Sequence, residues 1–163
     1  MKLKHKVEVL DNKTQKLISN YRNPLLIEFF QGITSLGSPP LVILMISVLW
    51  SVGETPTAQT LLLGFLISGT IVRIIKKTTN KTRPENHTGT FYSEKSFPSG
   101  HSTSSFMTAT VLNHFYNKPL AFFTLAATVA TSRIYLDDHY LTDIIAGAVT
   151  GSIIGTSLII NII

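Results

Sequence analysis

The sequence predicts an all-α integral-membrane bundle of about five transmembrane helices with an N-terminal interfacial helical segment. Its mean hydropathy is +0.27 and 14% of its residues are charged, whereas a soluble domain carries about 25% charged residues. The charges are concentrated in residues 1–28, 73–95 and 133–143, and apolar stretches separate them. The last stretch, Ile144–Ile163, has no charged residue, which argues against the alternative of a soluble helical bundle.

Five apolar stretches are the candidate helices, and a bilayer span needs about 17–25 mostly apolar residues. The second, fourth and fifth stretches reach that length. The first does so only with residues 33–38 added, and the third is amphipathic and needs protein against its polar side. In chain order they are Pro39–Val52, Thr57–Ile75, Ser102–Tyr116, Pro119–Leu136 and Leu141–Ile163.

The N-terminal segment has a different pattern. Between residues 12 and 36, apolar side chains alternate with charged ones, and Pro24 divides the stretch. This pattern predicts one or two helices lying along the lipid headgroups, or a solvated helix that caps the bundle. No apolar run follows the basic N-terminus, so a cleaved signal peptide is not expected. We expect one domain, residues 1–163, made of an amphipathic segment, 1–38, and a transmembrane catalytic bundle, 39–163.

Three glycines recur every four residues in the last apolar stretch, Gly147, Gly151 and Gly155. This spacing places them on one face of a helix, where small residues let membrane helices approach closely. A homodimer through this face is one arrangement that the pattern permits.

The net charge of +5 is compatible with nucleic acid, a membrane surface or an anionic substrate as the partner. The cations form no helical stripe interleaved with aromatic residues, and the long apolar stretches oppose nucleic-acid binding. The chain has no cysteine, which excludes disulfides and thiolate metal sites. Asp137, Asp138 and His139 are too few and too local to predict a two-metal site. We therefore expect no metal and no cofactor.

The first candidate for chemistry is the polar stretch that follows Lys76, contains Arg83-Pro84 and ends in Pro98-Ser99-Gly100-His101. Ser99 can cap the first turn of a helix, and the free N–H groups of such a turn attract phosphate. Taken alone, the same residues also fit an ordinary helix cap followed by an exposed histidine.

The second candidate lies around the start of the last apolar stretch. Arg133 precedes it, and His139 and Asp143 are four residues apart, so on a helix they share one face. A carboxylate there can hold the proton on one imidazole nitrogen and leave the other free as nucleophile or base. A structural ion pair is the alternative. Asp137 and Asp138 are either simple loop residues, ligands of a headgroup amine or groups that tune His139.

Together these residues supply the parts that phosphoryl transfer needs. Cations neutralise the equatorial oxygens, a nucleophile attacks in line and an acid protonates the leaving oxygen. Two histidines, one carboxylate and the neutral donors near Ser99 and Gly100 are available. The cations are Lys76, Arg83 and Arg133.

The order of three motifs resembles the type 2 phosphatidic acid phosphatase (PAP2) superfamily, in its small membrane-embedded lipid phosphatase branch. The motifs are Lys76-x6-Arg83-Pro84, Pro98-Ser99-Gly100-His101 and Ser132-Arg133-x5-His139-x3-Asp143. The resemblance implies that His139 attacks phosphorus and becomes phosphohistidine, that Asp143 orients it, and that His101 protonates the leaving oxygen and then activates water. It further implies that the phosphate is held by Lys76, Arg83, Ser99, Gly100 and Arg133. His5, His87 and His114 lie outside the motifs and receive no catalytic role.

The implied substrate is a membrane lipid phosphate or diphosphate. Polyprenyl phosphates and diphosphates such as undecaprenyl diphosphate, phosphatidylglycerophosphate and phosphatidic acid are all compatible with the residues. A phosphatase of a soluble phosphate ester is one alternative. A vanadate-binding haloperoxidase is another, although those enzymes are larger than this chain.

The charge distribution also predicts which side of the membrane the site faces. Five spans place the N-terminus on the same side as both catalytic loops. Without the three phosphate-binding cations, that side has nine basic residues, against Lys118 on the other. The positive-inside rule then predicts a prokaryotic cell membrane protein with a cytoplasm-facing active site.

Overall fold

The computed structural model describes residues 2–85 and 94–162, and within these residues all regular elements are α-helices. The all-α prediction is therefore confirmed for this part of the chain. The seven helices described there are α1 Lys2–Ser19, α2 Pro24–Ser35, α3 Pro39–Ser51, α4 Thr55–Thr78, α5 Gly100–Tyr116, α6 Pro119–Tyr135 and α7 Leu141–Ile162.

Local sequence determines where several helices begin. A proline stands at the first or second position of α2, α3, α4 and α6, where the missing N–H would have no helical partner in any case. Asn23 caps α2 by accepting from the N–H of Leu26, and Ser99 caps α5 by accepting from the N–H of Ser102. The capping role predicted for Ser99 is confirmed.

Helix α5 lies at the centre of the bundle, with its most extensive contacts to α7 and further contacts to α6 and α4. The main core lies between α3, α4, α5 and α7. Its buried members are Val42, Ile46, Ala58, Leu61, Met107, Val111, Ile154 and Leu158.

The glycine face of α7 packs against α5 of the same chain. A Cβ at Gly147 would lie 2.6 Å from the Ser99 carbonyl oxygen, and one at Gly151 would overlap with the carbonyl oxygen of Thr103. Gly155 is similarly close to Thr110. The glycines therefore allow a close approach, as predicted, but within the protomer. A homodimer contact through these glycines, which the pattern permits, is not shown, and α5 of the same chain covers that face.

Two helices within residues 2–85 and 94–162, α4 and α7, are long and apolar enough to cross a membrane. A third candidate is the pair α2 and α3, which meet at an angle of 48° and satisfy the same requirements together. Helices α5 and α6 have 17 residues each, so at about 26 Å they are shorter than a hydrocarbon core of about 30 Å. The count of about five spans is not confirmed and stays a prediction.

Large apolar side chains cover much of the outer surface of the bundle. Leu120 is 83% exposed, Leu25 75% and Ile160 74%. A protein in water seldom exposes such extensive apolar surface, which is consistent with lipid around these helices.

Helix α1 docks on the end of the bundle and does not lie free along a headgroup layer. Asp11 is buried, Gln15 donates to the Ile134 carbonyl oxygen at 3.3 Å, and Arg22 Nε, just after the helix, donates to the Tyr135 carbonyl oxygen at 2.9 Å. Of the two interpretations of this segment, a cap on the bundle describes α1 better than an interfacial helix.

Candidate active site

His139 lies in the loop between α6 and α7. The prediction that it shares a helix face with Asp143 is wrong, because α7 begins only at Leu141. Instead, the loop turns back on the end of α6, and the backbone N–H of His139 donates to the Arg133 carbonyl oxygen at 3.0 Å. The residue is 2% exposed. The loop nevertheless brings the imidazole to Asp143, so the predicted pair exists by another route.

The two imidazole nitrogens of His139 face opposite charges. Nε2 lies 3.1 Å from Nη1 of Arg83, and Nδ1 lies 3.6 Å from Oδ2 of Asp143. A guanidinium can only donate, so Nε2 accepts and the proton of the neutral ring is on Nδ1, toward the carboxylate. Burial lowers the pKa of His139 to about 3, an effect that Asp143 opposes and that Arg83 and Arg133 reinforce. The ring is therefore neutral near pH 7.

Asp143 is fixed in the first turn of α7 by contacts on both carboxylate oxygens. Oδ2 accepts from the N–H of Tyr140 at 2.9 Å, and Oδ1 accepts from Nζ of Lys81 at 2.8 Å. Its carbonyl oxygen accepts from the N–H of Ser99 at 3.0 Å, which joins the start of α7 to the start of α5.

Arg133 and Asp138 form a buried ion pair beside the imidazole. Nη2 of Arg133 lies 2.7 Å from Asp138 Oδ2, and Nη1 donates to Oγ1 of Thr34 at 2.6 Å. The buried Nε has no protein partner. Arg83 Nη1 donates to the Asp138 carbonyl oxygen at 2.7 Å. Asp138 thus compensates the charge of an arginine in the site, and it is buried there, 4% exposed.

Asp137 belongs to the junction with the N-terminal helices. Its φ of 59° is in the left-handed region, and its carboxylate accepts from Arg22 and Gln15. Of the roles considered for this residue, a structural loop residue fits these contacts.

Lys76, Ser99, Gly100 and His101 complete the predicted set at the same end of the bundle. Lys76 Nζ donates to the carbonyl oxygens of Lys95 and Ser96 at 2.6 and 3.2 Å. Ser99 and Gly100 form the start of α5, and His101 follows in its first turn. His101 lies within electrostatic range of Arg133, His139 and Arg83.

Sequence reasoning missed Lys81, Asp11 and Thr142. Lys81 was counted only among the basic residues of one membrane side, yet its Nζ contacts Asp143. Asp11 accepts from Lys81 at 2.6 Å across 70 residues of sequence, and no local pattern marks this pairing. His5 and His114 are exposed, and His87 lies outside the described residues.

An apolar cavity of about 470 Å³ lies between α3, α5 and α6. Its lining includes Val42, Leu112, Ala126 and Val129. One end adjoins the end of the bundle that contains His101, because a Cβ at Gly37 would lie 2.8 Å from Val129 and 3.3 Å from His101. This end of the cavity therefore lies beside His101.

Comparison with known proteins agrees with this arrangement. Residues 57–162 match the PAP2 superfamily. The chain belongs to the PAP2 superfamily. This membership confirms the resemblance predicted from the three motifs and the enzyme class that it implied, a phosphatase.

Two curated relatives of this PAP2 protein are named as lipid phosphatases. Phosphatidylglycerophosphatase B of Bacillus subtilis is 28% identical over 86% of this chain and 77% of its own length. Lipid A 1-phosphatase of Porphyromonas gingivalis is 31% identical over 57% of this chain and 21% of its own length, so that match covers about a fifth of the relative.

Two solved structures have the same fold. The crystal structure of Aquifex aeolicus LpxE superposes with a TM-score of 0.82 at 29% identity, covering 92% of this chain and 94% of that one. A transmembrane PAP2-type phosphatidylglycerolphosphate phosphatase from Bacillus subtilis gives 0.81 at 25% identity, covering 94% and 84%. The second of these structures is described as transmembrane, which supports a membrane location for this chain.

Proposed function

We propose that this chain is an integral-membrane phosphatase that hydrolyses a lipid phosphate or diphosphate through a phosphohistidine intermediate. The observation that supports this most is the position of His139 between opposite charges. Its Nδ1 lies 3.6 Å from Oδ2 of Asp143 and its Nε2 lies 3.1 Å from Nη1 of Arg83. This arrangement favours a neutral ring with its proton on Nδ1, and the lowered pKa of His139 favours the neutral form as well. A buried imidazole in this tautomer has its lone pair directed at a site suited to an anion.

In the first step, His139 Nε2 attacks phosphorus while the bond to the leaving oxygen breaks. His101, which has to enter this step with both ring nitrogens protonated, donates one proton to that oxygen, and Asp143 stabilises the imidazolium character that develops on His139. In the second step, His101 takes a proton from water as the water oxygen attacks phosphorus. The P–N bond breaks, phosphate leaves and His139 returns to its neutral form.

The phosphate oxygens would be held by the cations and donors around the ring. Arg133 presents a buried Nε without a protein partner, which a phosphate oxygen can satisfy. Arg83 and Lys76 add positive charge, and Ser99 with Gly100 provides the start of α5, where N–H groups favour an anion. Among the described residues, no group of three His, Asp or Glu side chains could share a metal ion, so we propose that cations alone neutralise the charge.

An amphiphilic substrate fits the apolar cavity beside the site. At about 470 Å³ the cavity lies within the usual range for ligand pockets, about 300–1,000 Å³. A headgroup phosphate could reach His139 while a tail occupies the space between α3, α5 and α6. Polyprenyl phosphates or diphosphates, phosphatidylglycerophosphate and phosphatidic acid are the candidate substrates. This apolar cavity favours them over a soluble phosphate ester.

We also propose that the site faces the cytoplasm of a prokaryotic cell. The contacts of Asp11 with Lys81 and of Arg22 with Asp137 support the expectation that the N-terminal helix lies on the catalytic side. The excess of basic residues on that side then favours the cytoplasm. A reporter fused to the C-terminus tests this arrangement, because five spans with a cytoplasmic N-terminus require an external C-terminus. A cytoplasmic C-terminus would contradict it.

The enzyme activity is tested by phosphate release from purified full-length protein in detergent. The panel contains polyprenyl phosphate and diphosphate, phosphatidylglycerophosphate, phosphatidic acid and, as a soluble ester, glycerol 3-phosphate. His139→Gln should abolish release and the acid-labile phosphate label on the protein, while His114→Gln, at an exposed histidine, should preserve both. Vanadate should inhibit and a chelator should not.

Undiminished release by His139→Gln would refute the mechanism. Preference for the soluble ester over all of the lipids would refute the lipid assignment. Halide oxidation in the presence of vanadate would instead favour the haloperoxidase alternative.

A further inference from the structure

Lys81 links the proposed catalytic pair to helix α1 through a saturated set of hydrogen bonds. Its Nζ lies 2.6 Å from Asp11 Oδ2, 2.7 Å from Thr142 Oγ1 and 2.8 Å from Asp143 Oδ1. A lysine ammonium has three N–H donors, and each is used here. Nζ also lies 4.7 Å from the centroid of the Tyr140 ring, where a cation is attracted by the ring face.

Asp11 of α1 accepts hydrogen bonds from both Lys81 and Thr142. Its Oδ1 accepts from the backbone N–H of Thr142 at 3.0 Å, and its Oδ2 accepts from the Thr142 hydroxyl at 2.7 Å. The hydroxyl can donate to Asp11 while it accepts from Lys81, so its hydrogen bonding is consistent. A carboxylate from α1 therefore caps the first turn of α7, the turn that contains Asp143.

Burial makes the charges interdependent. The side chains of Asp11 and Asp143 are 3% and 0% exposed, and that of Lys81 is 28% exposed. One lysine thus lies between two buried carboxylates. A buried charge without its partner destabilises the protein. If Lys81 were removed, each carboxylate would therefore have to move, become hydrated or become protonated.

The orientation of Asp143 determines what it offers to His139. Lys81 occupies Oδ1, which leaves Oδ2 to the N–H of Tyr140 and to Nδ1 of His139. If Oδ1 lost its donor, the carboxylate could rotate or protonate. It would then hold the Nδ1 proton less firmly and stabilise the imidazolium less.

We propose that Asp11 and Lys81 are positioning residues of the active site: Lys81 fixes the carboxylate of Asp143 toward His139, and Asp11 fixes Lys81 together with the first turn of α7. This inference rests on the proposed function for its catalytic consequence. The effect of Asp11 and Lys81 on the environment of the His139 ring can be measured separately, without an activity assay.

The first test measures kinetics of full-length variants in detergent, using the lipid phosphate that the wild type cleaves best. Lys81→Met removes the charge at similar length, and Lys77→Met is its matched control at an exposed lysine of α4. Asp11→Asn is paired with Glu8→Gln, an exposed residue of α1. Each rate is divided by the amount of protein that can be phosphorylated, so that misfolded protein does not lower the measured kcat.

We expect kcat of Lys81→Met and Asp11→Asn to fall by about 10- to 100-fold, the usual cost of disturbing a group that orients a catalytic residue. KM should change by less than about threefold, because the phosphate-binding cations are untouched. Lys81→Arg, which retains the charge, should recover part of kcat. Equal kcat values for Lys81→Met and Lys77→Met would overturn the proposal.

The second test does not depend on catalysis. In protein with 15N-labelled histidine, the His139 ring signals are assigned by their loss in His139→Gln. Lys81→Met and Asp11→Asn should shift these signals, and Lys77→Met and Glu8→Gln should not. If the wild type cleaves no lipid phosphate, the proposed function fails and these spectra still decide the positioning role. Unshifted signals in both test variants would refute it.

Discussion

The guanidinium of Arg83 donates to Nε2 of His139 at 3.1 Å, so it contacts the nitrogen that we propose as the nucleophile. For attack on phosphorus, this contact has to be released. Phosphate oxygens are stronger acceptors for a guanidinium than a neutral imidazole is. We therefore infer that an entering phosphate draws Arg83 away from His139 and frees the lone pair only when substrate is present.

Replacement of Arg83 should impair turnover strongly. In Arg83→Gln, one charged donor to the transferred phosphoryl group is lost, and we expect kcat to fall by about 100- to 1,000-fold. Affinity for vanadate should fall as well. Arg73→Gln, at an exposed arginine of α4, is the matched control and should retain near wild-type rates. Comparable kinetics for the two variants would exclude Arg83 from phosphate binding.

The buried His139 should make the protein less stable in mild acid. Its native pKa of about 3 lies below the ordinary value of about 6.5. Between these values, the unfolded chain binds a proton that the native chain does not. The free energy of unfolding should therefore fall as the pH falls from about 6.5 toward 3.

This dependence can be measured as the difference between Tm at pH 7 and at pH 5 in detergent. His139→Gln should show a smaller drop than the wild type, because its side chain does not titrate. His114→Gln, at an exposed histidine, should show the wild-type drop. If His139→Gln loses as much Tm as the wild type, His139 is not held neutral by burial.

The close approach of α5 and α7 should make Gly151 intolerant of a side chain. A Cβ there would overlap with the Thr103 carbonyl oxygen, and backbone can move only with its helix. We expect Gly151→Ala to reduce the free energy of unfolding by about 1–3 kcal/mol. Gly69→Ala, where no atom lies within 4 Å of the added Cβ, should be neutral or stabilising by up to about 1 kcal/mol.

Thermal or denaturant unfolding of these two glycine variants, measured in the same detergent, checks the expectation. A Gly151→Ala protein as stable as Gly69→Ala would show that the two helices can separate without cost.

Filling the apolar cavity should reduce selectivity for long-chain substrates. Ala126 is buried and lines the cavity, whereas Ala127 on the same helix is exposed. Ala126→Phe should lower kcat/KM for a long-chain lipid phosphate more than for a short-chain analogue with the same headgroup. Ala127→Phe should lower neither. An equal loss for both chain lengths would indicate that the tail binds elsewhere.

The sequence predicted which polar residues lie together at one end of the bundle better than it predicted their geometry. Polar residues at the ends of apolar stretches come together when the stretches pack as helices, so Arg83, Ser99, Arg133 and His139 were expected at one end. His139 is the exception, because a spacing of four residues predicts a shared face only where both residues lie on one helix, and α7 begins at Leu141. The turn at Asp137, with φ of 59°, follows the end of α6, and His139 reaches Asp143 from the loop between α6 and α7.

The role of α1 could not be predicted from local pattern. The sequence around Asp11 and around Lys81 does not distinguish either residue from other charged residues. Their association with Asp143 depends on how three distant segments pack. The number of membrane spans also could not be predicted by counting apolar stretches in the sequence. Seventeen-residue helices such as α5 and α6 pack mainly against other helices, so hydropathy and length describe them poorly.

The N-terminal helices contact the site, although they lie outside the region that matches the PAP2 superfamily. Similarity to the PAP2 superfamily begins at residue 57, yet Arg133 binds Thr34, Asp137 binds Arg22 and Lys81 binds Asp11. A fragment trimmed to residues 57–162 would retain the proposed nucleophile and lose these three partners. The region that matches the PAP2 superfamily is thus smaller than the region that supplies contacts to the site.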